Sequence, residues 1–433
     1  MPKEKLAIVG LGYVGIPLSV LLADKGFDVV GIDVSAERAM KINEGVLPLK
    51  GDEPELDELL AKAVAKGKLR ASTDFSMCSD RDAIFVCVDT PIDESHKPNN
   101  SRLMAAVTSI GENMRKGTLV IIESTIAPGT MMNVVAPALE RSKKMKMGKD
   151  FKLAHCPERV MPGRLLYNLR NYDRVLGGLD KQSIARASSI YSRIMKGKLH
   201  PTDLTTAEVV KTTENTYRDV QIAFANEVAL ICETLDIDAF EVRRLVNSCP
   251  FRDMHVPGAG VGGHCLPKDP WLLVHGGKAA KPKLIPTARE VNEGMPLHIV
   301  DLTMKMLANA KIDKRKACVT ILGASFLQES GDIRNSPTIP VMRSFKSCTK
   351  LTVHDPYVTE IDGVDVVSDL RSALEGADIA IFMVAHSQYA SITPATLKKF
   401  MRTPRVVDGR NIFSTEKMKK AGIAYSGIGK RLS

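Results

Sequence analysis

Cys265 stands in GGHCLPKD, with glycines before it and Lys268 and Asp269 after it, on a loop whose backbone can come close to a ligand. Neighbouring cations or loop amides lower a cysteine's pKa, and the thiolate so formed is a strong nucleophile. On spacing alone a buried, inert thiol competes with that reading, because free cysteine is among the most buried residue types. Asp269 after a lysine reads, by itself, as half of a surface ion pair. Lys211 and Asn215 lie four apart and share one face of any helix that carries them, with Glu208 a turn earlier. An ammonium and an amide side by side can clamp a developing oxyanion; the competing reading is an exposed polar stripe with a Glu208–Lys211 pair. Glu158, in HCPERVMPG, could activate a water or cap the turn that follows. His264 adjoins the thiol in sequence, but adjacent residues rarely face each other, so a Cys–His pair is set aside.

A second chemistry is written in LAIVGLGYVGIPLSVLLADKGFDVVGID, from Leu6 to Asp33. It reads as strand, glycine turn, helix and a second strand ending in a carboxylate. Gly10, Gly12 and Gly15 have the GxGxxG spacing: the first allows the tight turn, the second lets backbone approach a pyrophosphate, and the third lets helix pack on strand. The pyrophosphate would sit over the helix N-terminus, where free N–H groups and the helix dipole favour an anion. Asp33 can accept from both ribose hydroxyls and would repel a 2′-phosphate, which favours NAD over NADP. Leu6 to Ala23 is also uncharged and follows Lys3 and Lys5, as in a signal peptide or anchor. Three glycines, Pro17, the lack of a small-residue cleavage site and the return to charge at Asp24 argue against that.

The elements that must position these residues follow from the pattern of the rest. From Leu6 to about Gly178, short β-rich runs (AIFVCVDTP, LVIIEST, FKLAHCPE, RVLGG) alternate with helical stretches, as in a doubly wound parallel sheet. From about Thr202 to Leu235 there is no Gly or Pro, and Val209, Val210, Ile222, Phe224, Val228, Leu230, Ile231 and Leu235 recur, so one long and mostly buried helix is expected there. It reads as a central connector and dimer core. The glycine-rich loop Pro257–Pro270 follows, then helical sequence around Met295–Ala310. From Lys316 a second alternating block, CVTILGASF, LTVHDP, IAIFMVA and RVVDGRN, supplies four more strand-like runs. The expected fold is therefore α/β, two Rossmann-like doubly wound domains joined by a long central helix. The expected boundaries are 1–200 for the cofactor domain, 201–310 for the helical region with the cysteine loop, and 311–433 for the second sheet.

Composition narrows the function classes. A chain of 433 residues with 44% hydrophobic and 25% charged residues is globular and large enough for two or three cores. Its net charge of +10 comes from scattered lysines, such as Lys143, Lys144, Lys146 and Lys149, and only 5% of residues are aromatic. That suits a solvated surface better than a nucleic-acid platform. Eight cysteines show no CxxC pair and no metal-ligand spacing with the nine histidines. They read as reduced thiols, most of them buried, in a cytoplasmic protein with no metal and no membrane segment.

GLGYVG, CVDTP, ESTIAPGT, CPERVMPG, AEVVKTTENTY, GVGGHCLPKDP, DIRNSP and DGRN together resemble the UDP-glucose/GDP-mannose dehydrogenase family, in order and over nearly the whole chain. The resemblance implies oxidation of a sugar's primary alcohol to a carboxylate in two hydride transfers to NAD. It implies that Cys265 traps the aldehyde as a thiohemiacetal, and that a thioester forms and is hydrolysed. Lys211 and Asn215 would then stabilise the oxyanion, Asp269 and Thr125 would hold or deprotonate a water, and Glu158 would assist hydrolysis. Gly10, Gly12, Tyr13, Val14, Gly15, Asp33, Thr90, Pro91 and Thr125 would meet the cofactor. Arg159, Val160, Arg218, Gly260, Gly262, Arg334 and Arg410 would meet a UDP-sugar with Glu158, Lys211 and Asn215, as would Arg252 of the partner subunit in a dimer or larger assembly. CPERVMPGR, NYDRVLGG, His264 and Pro270–Trp271 resemble the branch that acts on UDP-N-acetylmannosamine, whereas Lys268 resembles the UDP-glucose branch and Leu327 replaces a lysine common in the family.

Overall fold

Continuous apolar runs with both faces covered form parallel strands, and the first half of the chain supplies them in quick succession. The computed structural model describes residues 4–49, 51, 53–348 and 350–430. It divides into two units, Met1–Glu214 with Trp271–Lys281, and Asn215–Pro270 with Pro282–Ser433.

In the first unit the strands are β1 (Lys5–Val9), β2 (Asp28–Ile32), β3 (Leu69–Ser72), β4 (Ala83–Val86), β5 (Leu119–Ile122), β6 (Lys152–His155), β7 (Arg174–Gly178) and β8 (Leu199–Asp203). They form one sheet in the order β3-β2-β1-β4-β5-β6-β7-β8, parallel except where β7 runs against β6. Leu6 and Ile8 point into one apolar layer and Ala7 and Val9 into the other, so β1 is buried on both faces. The order reverses on either side of β1, and in open α/β sheets ligands bind outside the strand ends at such a point. The edge strand β8 was not legible: LHPTD carries one large apolar residue and a proline.

In the second unit β9 (Cys318–Leu322), β10 (Lys350–His354), β13 (Ile379–Phe382), β14 (Arg405–Asp408) and β15 (Ala424–Gly427) make a parallel sheet in the order β10-β9-β13-β14-β15. A short hairpin, β11 (Glu360–Ile361) with β12 (Val364–Asp365), lies outside it. Four of the five strands match the apolar runs; β15, AYSG, is too short and polar to stand out. The fold is thus two Rossmann-like sheets with a long helix, Leu204–Leu235 of 32 residues, between them in sequence.

That helix corrects one expectation. Its buried face is lined by small and polar residues, among them Ala207, Glu208, Thr212, Thr216, Asp219, Ala225, Asn226 and Ala229, whereas Phe224, Ile231 and Leu235 are more than half exposed. Small residues let neighbouring segments approach closely, and the polar ones find buried partners, so burial here does not follow hydrophobicity. The cysteines also differ: Cys78, Cys156 and Cys232 are buried, Cys249 is exposed, and the other four are half-buried. Among the described residues no helix is long and apolar enough to cross a membrane.

Candidate active site

The glycine turn after β1 is tight for a visible reason. Gly10 sits at φ +93°, and a Cβ there would come within 2.8 Å of the Cys87 carbonyl. A Cβ on Gly15 would lie 1.9 Å from the Gly10 oxygen, so only glycine lets the helix Gly15–Asp24 start this close to the strand. On Gly12 it would meet no protein atom within 4 Å, which leaves that backbone open to a ligand. Val14 is the N-cap residue and makes no side-chain cap. The Ile16 amide is taken by the Gly12 carbonyl at 3.1 Å and Pro17 has no N–H, so the Val14 and Gly15 amides are the ones left to face an anion. Tyr13 packs half-buried against the core beside them. Asp33 accepts from the Leu11 and Ser35 amides at 2.8 and 2.9 Å. Arg38 Nη1 lies 3.1 Å from both of its carboxylate oxygens. An open glycine, uncapped amides and a carboxylate at the end of β2 fit a dinucleotide. Arg38 was missed, although SAER after Asp33 signals it: Ser35 caps the next helix through the Arg38 amide and places that side chain over the carboxylate.

Two loops at the ends of β4 and β5 are tied together, for Thr90 Oγ1 donates to the Thr125 carbonyl at 2.5 Å. Pro91 follows Thr90, and its carbonyl accepts from the Asn99 amide. Glu158, just past β6, does cap its turn through the Val160 amide at 2.6 Å, and its other oxygen faces Lys211 Nζ at 3.7 Å. The capping reading of Glu158 is thus the one formed, through one oxygen, with the other turned to Lys211. Lys211 is buried, and the exposed stripe with a Glu208–Lys211 pair is not formed: Glu208 accepts instead from the Gly129 and Met131 amides at 2.6 and 2.7 Å. Burial pushes the Glu208 carboxyl up to about 7. Arg159 is engaged by Glu214 and by the Asp173 carbonyl. Below this turn a buried Glu123 accepts from Arg174 and Tyr191, and Arg174 also holds the Cys156 carbonyl at 2.7 Å. No spacing in the sequence announced that triad.

In the second unit the cysteine loop is fastened along its length. Gly260 sits at φ +119° against Pro296, and a Cβ on Gly262 would lie 2.4 Å from Phe326 Cβ. The Gly263 amide donates to the Arg334 carbonyl at 2.8 Å, and Asn335 Nδ2 donates back to Gly263 at 2.9 Å. After Cys265, whose carbonyl accepts from the Lys268 and Asp269 amides, the chain turns into the helix Asp269–Gly276. Asp269 is fully buried, 2.7 Å from the buried Lys268 ammonium, and accepts from Asn215 Nδ2 at 2.5 Å. The surface-pair reading of Asp269 is thereby replaced by a buried carboxylate that an amide of the long helix holds in place. Arg410 donates to the Met383 and Gly260 carbonyls, and burial lowers its pKa to about 10, which leaves it cationic at neutral pH. Arg334 pairs with Asp332, Arg218 is exposed on the long helix, and exposed Arg252 reaches the carbonyls of Pro250 and Phe251.

Three segments of the chain match one family in succession. Its NAD binding domain covers residues 4–195, its central domain 205–294 and its UDP binding domain 320–415. The chain belongs to the UDP-glucose/GDP-mannose dehydrogenase family. Within the family it is 38% identical over 427 residues to the UDP-N-acetyl-D-mannosamine dehydrogenase of Pyrococcus horikoshii, which covers 98% of this chain and 99% of that one. The structure of UDP-D-ManNAc dehydrogenase from that organism superposes with a TM-score of 0.91 at 37% identity, over 99% of both chains. NDP-N-acetyl-D-galactosaminuronic acid dehydrogenase from Methanosarcina mazei Go1 superposes with a TM-score of 0.88 at 37% identity, over 99% of this chain and 96% of that one.

Proposed function

We propose that this protein is an NAD-dependent UDP-N-acetyl-D-mannosamine 6-dehydrogenase that oxidises the C6 hydroxyl to the uronate in two steps. The observation that carries the reading is Cys265 on a loop braced at Gly260, Gly262 and Gly263, followed by a buried Asp269 held by Asn215. Full-length likeness to UDP-N-acetyl-D-mannosamine dehydrogenases supports the choice of sugar. NAD, when bound, accepts a hydride at each of the two oxidations, and the Gly10–Gly15 turn and Asp33 would hold it.

The residues then divide the work. Asp269 or Thr125, through a water, takes the C6 hydroxyl proton while Lys211 and Asn215 stabilise the charge that develops on oxygen. The Cys265 thiolate adds to the aldehyde carbon, and the oxygen takes up a proton, so the half-oxidised sugar stays attached between the two oxidations. Loss of the second hydride from that thiohemiacetal leaves a thioester. Water, activated by Glu158, displaces the thiolate and releases the uronate; the balance is one alcohol, one water and two hydride acceptors. Thr90 and Pro91 line the nicotinamide side. Arg159, Val160, Arg218, Gly260, Gly262, Arg334 and Arg410 meet the UDP-sugar, with Arg252 of the partner subunit.

The segments 1–200, 201–310 and 311–433 serve as cofactor domain, central domain and UDP-sugar domain. The chain acts as a dimer or higher oligomer through the long helix. Exposed Phe224 and Phe251 line an apolar groove of about 470 Å³ with Val220, Met254, Leu284 and Val291, a surface suited to a second copy. None of the eight cysteines is joined in a disulfide, in keeping with a cytoplasmic protein.

The test is the NADH yield from a panel of UDP-sugars. Two NADH per UDP-N-acetylmannosamine, and uronate formation by Cys265→Ser lowered roughly 1,000-fold or more with NAD binding intact, is the expected result. One NADH per sugar, or normal turnover by Cys265→Ser or Lys211→Ala, overturns the scheme. The likeness to the Methanosarcina mazei enzyme makes the galactosamine sugar the second candidate. A pocket that hydrogen-bonds the acetamido group should in either case reject UDP-glucose strongly.

A further inference from the structure

We propose that Trp271 is a positioning residue for the cofactor side of the reaction, holding through His96 the loop that carries Thr90 and Pro91. The inference rests on the NAD-dependent reading above. All the contacts lie within the first unit. The loop from Pro91 to Asn99 closes on itself: the Asn99 amide donates to the Pro91 carbonyl, and the Asp93 amide to that of Lys97, each at 2.8 Å. Asp93 Oδ1 accepts from the Ser95 and Lys97 amides, both at 2.9 Å, and Ile92 bridges Pro98. At the tip His96 adopts φ +60° and lays its ring on Trp271, with centroids 4.1 Å apart and planes within 6°.

The same short helix steadies the neighbouring loop. A Cβ on Gly276 would lie 2.6 Å from Pro128, so the helix backbone rides directly on the segment that follows Thr125. With Thr90 bonded to the Thr125 carbonyl, Trp271 and Gly276 brace both threonine-bearing loops from one helix. Exposed loops open at little free-energy cost. A loop docked for only part of the time lowers apparent affinity by the docked fraction. The stack raises that fraction, and Trp271 thus acts on NAD rather than on the choice of sugar.

Trp271 is the only tryptophan in the chain, so its emission reports the surroundings of that ring, the His96 stack among them. NAD binding to the full-length protein is measured by calorimetry, alongside tryptophan emission, for His96→Ala and for His96→Phe, which keeps a stacking ring. His96→Ala should bind NAD about fivefold more weakly, about 1 kcal/mol, with altered emission and an unchanged KM for the sugar at saturating NAD. His96→Phe should bind within about twofold of the parent, since an aromatic pair is retained. Parent-like NAD binding by His96→Ala, equal weakening in both variants, or an effect on sugar KM instead would overturn the proposal. Calorimetry needs no turnover, so a protein that binds NAD but oxidises no UDP-sugar would sink the activity while still testing the stack.

Discussion

At the end of β1 Gly10 turns at φ +93° and Leu11 donates to Asp33, while at the end of β9 Gly323 turns at φ +103° and Ala324 donates to Asp355. Each glycine amide donates at 2.8 Å to the last carbonyl of the neighbouring strand, Ile32 in one sheet and His354 in the other. From there the two units part. After Gly10 the chain enters a helix at Gly15, leaving Gly12 open. After Gly323 it runs through a long loop before the helix Thr338–Ser344, and that loop grips the cysteine segment through Phe326, Arg334 and Asn335. Asp355 is taken up by its own unit, accepting from the Ser325 and Tyr357 amides at 3.0 and 2.8 Å and from His386 at 3.1 Å. One backbone device thus leaves an open turn in the first unit and grips a loop in the second. Fold alone does not assign the task; what fills the turn does.

The sharpest way to break this comparison is to load the open turn. Gly15→Ala should destabilise the first unit by roughly 4 kcal/mol or more, because its Cβ must displace the Gly10 carbonyl 1.9 Å away. Gly12→Ala meets no protein atom within 4 Å and should leave stability within about 0.5 kcal/mol while NAD affinity falls about tenfold or more. Thermal melts and calorimetry on the two variants separate the outcomes. Equal NAD affinity for Gly12→Ala and the parent would show that no pyrophosphate approaches there.

The two carboxylates come next. Asp355→Ala strands several buried donors and should cost the second unit roughly 3 kcal/mol without touching NAD affinity. Asp33→Ala should weaken NAD about tenfold, and it frees the Arg38 guanidinium to meet a 2′-phosphate, so the preference for NAD over NADP should shrink. Unchanged cofactor preference would remove Asp33 from the ribose.

How much of this was legible depended on whether chemistry or packing made the demand. The GxGxxG turn and its carboxylate were readable, because each residue there answers a local steric or electrostatic need. The second sheet was readable from its apolar runs, yet the likeness of Gly323 and Asp355 to Gly10 and Asp33 was not, since GASF lacks the later glycines. The long helix misled in its interior: apolar periodicity pointed to Phe224 and Ile231, whereas Glu208, Asp219 and Asn226 are the residues that go inside. Those burials depend on partners far away in sequence. Asp219 takes Arg289 and Asn292, while Asn226 takes Asn292 and the Gly258 amide. No window of periodicity contains that information.

The smallest effect distinguishes how each unit steadies a loop with a buried carboxylate. Burial pushes Asp355 up, but bonds from His386, Tyr357 and Ser325 outweigh it and hold the group below the usual carboxylate range. Glu208 has two amide donors near Gly129 and Met131, and there burial wins, raising it from 4.5 to about 7. The signs are therefore opposite. Asp355 contributes stability at neutral pH that is lost only as acid reaches its depressed pKa. Glu208 binds a proton more tightly in the folded state, so its contribution is fully present below the unfolded value of 4.5 and is lost as pH rises through about 7. Between about pH 6 and 8 this one group should lower stability by about 1 kcal/mol. Denaturant unfolding followed by the emission of Trp271, which lies in the first unit, isolates the relevant transition. The stability difference between the parent and Glu208→Gln should shrink by about that amount across the window. A difference that stays flat with pH would mean that the amide donors, and not burial, govern Glu208.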